Sequence, residues 1–354
     1  MRKLQNLPTS NPKCTFYKYT DSGSTFLKQV IIFLQTRPFI FVSVLTLALV
    51  WSGWLVLLRP DYAIANIMEH WAIAVTMFFG SMVAGGTSMG GGAVAFPVLT
   101  KVLEIPAQDA KIFSLAIQTI GMGAASITIV AMGTRLQWPV IRLASLGGIP
   151  GVFLGTAVFA PILPANAIRL SFTMMVSSFA IILLVLNRSN KPRKLGVSRW
   201  HRREKIVTFC AGFLGGILSG LVGSGMDICV FSTMVVLFNL CEKNSTPTSV
   251  VLMAINAAVG FLIHQFVLGD FVAPVQQYWF AAIPVVVVGA PAGAIICSLL
   301  NRQTIVNTLV ILIGLELTSS LLLIPLSISL ISLAVAAFIS FCGLYYWMYQ
   351  TRLT

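Results

Sequence analysis

Two glycine-rich stretches break apolar runs that would otherwise be continuous. They are Gly85-Gly86-Thr87-Ser88-Met89-Gly90-Gly91-Gly92 and Gly220-Leu221-Val222-Gly223-Ser224-Gly225-Met226-Asp227. Lipid cannot satisfy free backbone N–H and C=O groups, so an unwound stretch at membrane depth must be buried in protein or line a wet cavity. Glycine permits positive φ and a close approach of the backbone. A helix resuming after each break presents unpaired amides and a positive dipole end, which favour an anion. Thr87, Ser88 and Ser224 add hydroxyls that can donate to anion oxygens. Gln118 and Asn256 fall within the helices after each break, where a buried amide needs a partner. They could serve a substrate or each other. Asp227 and Glu316 are the only carboxylates well inside apolar runs. Such groups are rare and usually functional, and either could exchange a proton during transport. The bland alternatives are small-residue helix packing for the glycines, an N-cap for Asp227 and an interhelical hydrogen bond for Glu316.

The elements that position these residues follow from composition. Of 354 residues, 57% are hydrophobic and 9% charged, against about a quarter charged in soluble domains. Lipid must therefore be the solvent for most of the chain. The net charge of +13 does not indicate nucleic acid. It concentrates before the first apolar run and in the linker from Arg188 to Lys205, as basic cytoplasmic flanks do. Residues 1–38 read as a cytoplasmic tail. The six cysteines have no ligand-like spacing and read as small buried hydrophobes, and no metal or cofactor is implied. His70 reads as an interfacial residue and His264 as a packed one.

A bilayer-spanning helix needs about 20 apolar residues. Phe39–Leu58, Ile112–Met132, Val140–Val158 and Ala167–Leu186 fit one span each, and so do Ser249–Leu268, Tyr278–Leu299, Ile305–Ile324 and Ile328–Met348. Trp71–Thr100 and Ile206–Cys241 are too long for one helix and contain the breaks. Moving 135 positions places Gly80 on Gly215, Gly85 on Gly220, Gly90 on Gly225 and Ser114 on Ser249. At 134, Ile149-Pro150 meets Ile283-Pro284 and Gly155 meets Gly289. An internal duplication follows. With both basic segments cytoplasmic, each repeat needs an odd number of crossings. Each broken segment is then a helical hairpin that enters and leaves on one side, and the second repeat is inverted. Lys101, Lys111 and Arg169 fall on the outer side, against the charge rule. The expected class is all-α and polytopic. Its parts are a first transmembrane helix at 39–60, repeats at 67–187 and 206–325, a linker at 188–205, and a last helix within 326–354. Pro97, Pro150, Pro284 and Pro291 are expected to kink helices or to start half-helices.

The chain resembles the sulfite exporter TauE/SafE family, also called the toluene-sulfonate uptake permease family. Gly85, Gly86, Gly90-Gly91-Gly92 and Pro97-Val98-Leu99 match its opening motif. Gly215-Gly216, Gly220, Gly223 and Gly225 match it again, over roughly residues 70 to 345. Met226 and Asp227 stand where that pattern has glycines, and Ser232 stands opposite Pro97. The resemblance implies a transporter of sulfur-containing or organic anions, such as sulfite, sulfonates or sulfoacetate, in a bacterial inner membrane. Substrate-binding candidates are the break residues with Gln118 and Asn256. The partners expected are a small anion and lipid, with no nucleic acid and homo-oligomerisation left open. Two rivals remain. An anion channel could use the same repeats and half-helices. An intramembrane serine protease would place Ser224 in a GxSG motif with His264 as base, but Val222 occupies the first glycine position.

Overall fold

The computed structural model describes residues 39–90, 98–188, 193–197, 200–324 and 327–352. Gly91, Gly92, Pro97, Cys14 and the N-terminal tail lie outside the described residues. The described chain is helical: α1 (Phe39–Leu58), α2 (Pro60–Glu69), α3 (Trp71–Gly86), α4 (Ala107–Ala131), α5 (Trp138–Leu154), α6 (Ala165–Arg188), α7 (Arg202–Val222), α8 (Met226–Ser232), α9 (Glu242–Leu262), α10 (Val275–Leu299), α11 (Arg302–Leu323) and α12 (Ile328–Gln350). Wider π-helical turns extend α5 through Phe159, α8 through Leu237 and α9 through Leu268, and another covers Val98–Val102. Among the described residues nine helices are long and apolar enough to cross a bilayer. Their outward residues, such as Phe41, Val56, Leu214 and Leu322, are large and exposed, as a lipid-facing surface requires.

Helix α2 was not expected from the apolar runs. Pro60 at its first turn and Asp61 beside it start it, and it meets α3 at 84°. The linker is also shorter than its basic composition suggests, because Arg202 to Lys205 form the first turn of α7. The five described cysteines carry no disulfide, but Cys210 is exposed rather than buried.

Backbone and side-chain contacts sort the helix ends onto two faces. On one, Lys194 of the linker exchanges backbone hydrogen bonds with the segment after α8: its N–H reaches Asn239 O at 3.0 Å, and Cys241 N–H reaches Lys194 O at 2.9 Å. The start of α9 joins the start of α11 there through Arg302 and Glu242. Arg352, after α12, donates to Val236 O. The α7–α8 segment therefore leaves on the face where it enters. The opposite face gathers Leu58, Ala63, Ile73, Leu99, Ile105, Phe271 and Val275 into a separate core. There α3 begins, and the chain has returned by Val98–Val102. The first broken segment thus opens to the face opposite the linker, and the second opens to the linker.

Small residues set the closest helix contacts. A Cβ at Gly85 or Gly293 would overlap backbone of α10 or α3, and one at Gly212 or Gly216 would overlap α5. The contacts are reciprocal. Gly85 lies on Ala290, while Gly220 lies on Thr156; Gly289 lies on Ser81, while Gly155 lies on Ile217. The first broken segment thus packs on α10 of the other half, and the second packs on α5 and its extension. Pro284 sits inside α10 and lacks the N–H that would reach Phe280 O. The indole of Trp54 on α1 donates to that carbonyl at 2.8 Å, and Trp51 donates to Pro284 O at 3.1 Å. Helix α1 thus supplies donors to α10 around Pro284.

Candidate functional site

The two breaks meet. Helix α3 ends at Gly86, Thr87 turns extended at φ −136°, and Gly90 takes φ +67°. In the second segment α7 ends on Gly223 at φ +89°, and Gly225 at φ +145° precedes α8. Gly90 and Gly225, matched by the sequence offset, both need the left-handed region that glycine supplies. A Cβ placed on Gly90 would stand 2.9 Å from Asp227 Oδ2, 3.5 Å from Gln118 Oε1 and 3.7 Å from Ser224 Cβ. One point therefore brings together the first tip, the second tip and the helix after the first tip. Gln118 lies midway along α4 and Asn256 midway along the α9 span, so the meeting point is far from both faces.

The break in α7 leaves Gly223 O without a helical donor, and α4 supplies donors. Gln118 Nε2 reaches it at 2.9 Å and Ser114 Oγ at 3.2 Å. The same Nε2 also donates to Ser114 O at 2.9 Å and Ser114 Oγ at 2.7 Å. Gln118 Oε1 is buried with no partner. The second tip closes on itself. Met226 N–H donates to Ser219 Oγ at 3.0 Å and Ile228 N–H to Asp227 Oδ1 at 2.9 Å. The first amides of α8, expected to face an anion, are thus already taken, one of them by the Asp227 carboxylate. Asp227 is fully buried, and its Oδ2 has no partner.

The other expected residues separate into groups. Gly85 and Gly86 belong to α3 and serve its packing on α10, so the break itself starts at Thr87. The Thr87 hydroxyl accepts the N–H of Met89 at 3.4 Å. Ser88 Oγ and both polar atoms of Asn256 are buried without partners. Asn256 faces Gly148 and Met226 and does not pair with Gln118. Glu316 stands apart, on α11, where Thr173 of α6 donates to its Oε1 at 3.4 Å. His264 Nδ1 is 2.7 Å from Asp270 Oδ1 at the far end of α9, and no described contact joins it to Ser224. His70 packs edge-on against Tyr278.

Three residues were not read as site residues from sequence. Ser219 caps the second tip. Ser114 and Lys111 share a face of α4 with Gln118 at helical spacing, and Lys111 is only 4% exposed. The i, i+3, i+7 pattern of Lys111, Ser114 and Gln118 was the available signal.

Comparison with curated proteins and with solved structures found no match. A family profile described as Sulfite exporter TauE/SafE matches residues 72–321, which takes in both breaks, Gln118, Asn256, Asp227 and Glu316. With well over half of its length covered by that profile, the chain belongs to the sulfite exporter TauE/SafE family of membrane transporters.

Proposed function

We propose that this protein is a secondary transporter that carries a small sulfur-containing anion, of the sulfite or organic sulfonate class, across the inner membrane. The site is the meeting point of the two tips, and access alternates between the faces. The single observation that carries this reading is the approach of Gly90 to Asp227, Gln118 and Ser224 across two chain breaks that open to opposite faces. The reciprocal packing of Gly85 on Ala290 and Gly220 on Thr156 supports an inverted duplication. Placing the linker face in the cytoplasm puts both termini there.

The anion's ligands would be Ser88 Oγ and Asn256 Nδ2, which are buried without partners, together with Thr87, Ser224 and the described backbone of the tips. Asp227 gives such a site a reason for coupling. Two negative charges ~5 Å apart repel by roughly 3 kcal/mol at an effective dielectric of about 20. The anion therefore binds when Asp227 is neutral and is expelled when it is charged. Glu316, half-buried on α11 beside Thr173 of α6, is the second carrier to test.

The test is uptake of labelled sulfite, thiosulfate and organic sulfonates into proteoliposomes, with an imposed pH gradient and without one. Accumulation above the external concentration distinguishes a coupled transporter from a channel. Failure to move any of these anions, with the protein folded and inserted, overturns the reading.

A further inference from the structure

We infer that Gln118 Oε1 and Asp227 Oδ2 together bind a monovalent cation, a proton or a sodium ion, at the contact between the two tips. Its use in coupling rests on the transport reading above, but the site itself rests on hydrogen-bond chemistry. Gln118 cannot be turned round. Its Nε2 is committed to Ser114 O, Ser114 Oγ and Gly223 O. A reversed amide would set its oxygen against two carbonyl oxygens, which donate nothing. Oε1 therefore faces away from those partners, and it lies beside Gly90. Asp227 Oδ1 is satisfied by Ile228 N–H, which leaves Oδ2 facing the same place. Both atoms are buried and neither has a hydrogen-bond partner, although the backbone N–H groups of Asp227 and Gly225 lie close enough to act on the carboxylate. Each lies within 3.5 Å of the point where a Cβ on Gly90 would sit.

Two buried acceptors aimed at one point and lacking a hydrogen-bond partner break the rule that buried polar groups are paired. A cation is the missing component. A proton on Oδ2 gives an O–H that donates to Oε1, and a sodium ion takes both oxygens as ligands, helped by carbonyls of the unwound backbone. Transport proteins with broken helices hold their coupling ions by such means. Glycine at 90 keeps the point open, and any side chain would occupy it. Few other groups there could take up a charge. Among the described residues, Cys229 on α8 lies within electrostatic reach of Asp227, and Tyr345 of α12 lies within reach of Cys229. Helix α4 adds Lys111, one turn before Ser114 and turned toward Asp270. Helix α6 brings Phe172 beside Gly225 and Met175 beside Cys229, with its Arg169 directed to Glu316. The carboxylates of α7 and α9, Glu204 and Glu242, lie at their linker-face ends, and His264 lies at the opposite end of the α9 span.

The experiment measures the thermal unfolding midpoint of the full chain in detergent, without any candidate anion. Acid is titrated in choline gluconate, and sodium is titrated against choline at fixed pH. The wild-type midpoint should rise by several degrees with one of them, and which one identifies the cation. Asp227→Asn puts an N–H donor where Oδ2 stood. It should unfold no lower than cation-saturated wild type and should be flat in both titrations. Should that variant fail to fold, Gly90→Ala serves, because its methyl takes the cation's place and should also abolish the response. A flat wild type, or a wild-type response retained in the variant that folds, overturns the inference. Lost flux with an intact cation response refutes the anion reading alone, and flat titrations with intact flux refute this one alone.

Discussion

Replacing Gly90 by alanine is the sharpest probe of the tip contact, because the fold contains its own control. Gly90 and Gly133 share φ +67°. An L-residue in that region costs roughly 1–2 kcal/mol, so both alanine variants should lose a similar amount of stability from the backbone. They differ in what the new methyl meets. At Gly133 nothing lies within 4 Å, whereas at Gly90 the Asp227 Oδ2 lies at 2.9 Å with Gln118 Oε1 and Ser224 Cβ just beyond. Overpacking of this kind costs about 1–3 kcal/mol, and it falls on the atoms proposed to hold cation and substrate. Since 1.4 kcal/mol is a factor of ten, Gly90→Ala should lower concentrative uptake of labelled sulfite by about tenfold or more. Gly133→Ala should transport normally at matched protein. Uptake is measured in proteoliposomes, with thermal unfolding of both variants alongside. Wild-type transport by Gly90→Ala, at unchanged half-saturation, would refute a site at the tips.

Three further outcomes are expected. Trp54→Phe removes the indole donor to Phe280 O one turn before Pro284, and the lost partner should lower stability by roughly 1 kcal/mol or more, read from the unfolding midpoint in detergent. Glu242 is fully buried and pairs with Arg302 at 2.6 Å and Arg193 at 3.2 Å. Glu242→Gln leaves that positive pair uncompensated, so a loss of about 3–5 kcal/mol and poor yield of folded protein should follow, while Arg302→Lys should be milder. Gly293→Val should force α3 and α10 apart, because even a Cβ there overlaps Met82 O, whereas Gly314→Ala meets nothing within 4 Å and should be silent. Size-exclusion profiles and unfolding midpoints of the pair check this.

The sequence by itself determined the class, the spans and the places where helices must break. Hydropathy fixes the first: an apolar run such as Phe39–Leu58 has one stable state in lipid, and the observed helix has those bounds. The glycines at 90, 223 and 225 mark the breaks because glycine takes their positive φ values at least cost. Other parts were not legible. Gly85 and Gly86 look like Gly90 in sequence, yet they pack α3 on α10. Burial by a partner helix separates the two roles, and composition is blind to it. Glu316 and Asp227 look alike as intramembrane carboxylates, and only the packing places one against α6 and the other at the tips. The partner of Gly223 O is likewise a tertiary fact, because the donors Ser114 and Gln118 come from a helix more than a hundred residues earlier. Local chemistry sets where a chain must open; which groups fill the opening is decided by long-range packing, which brings distant acceptors and donors within a few ångströms.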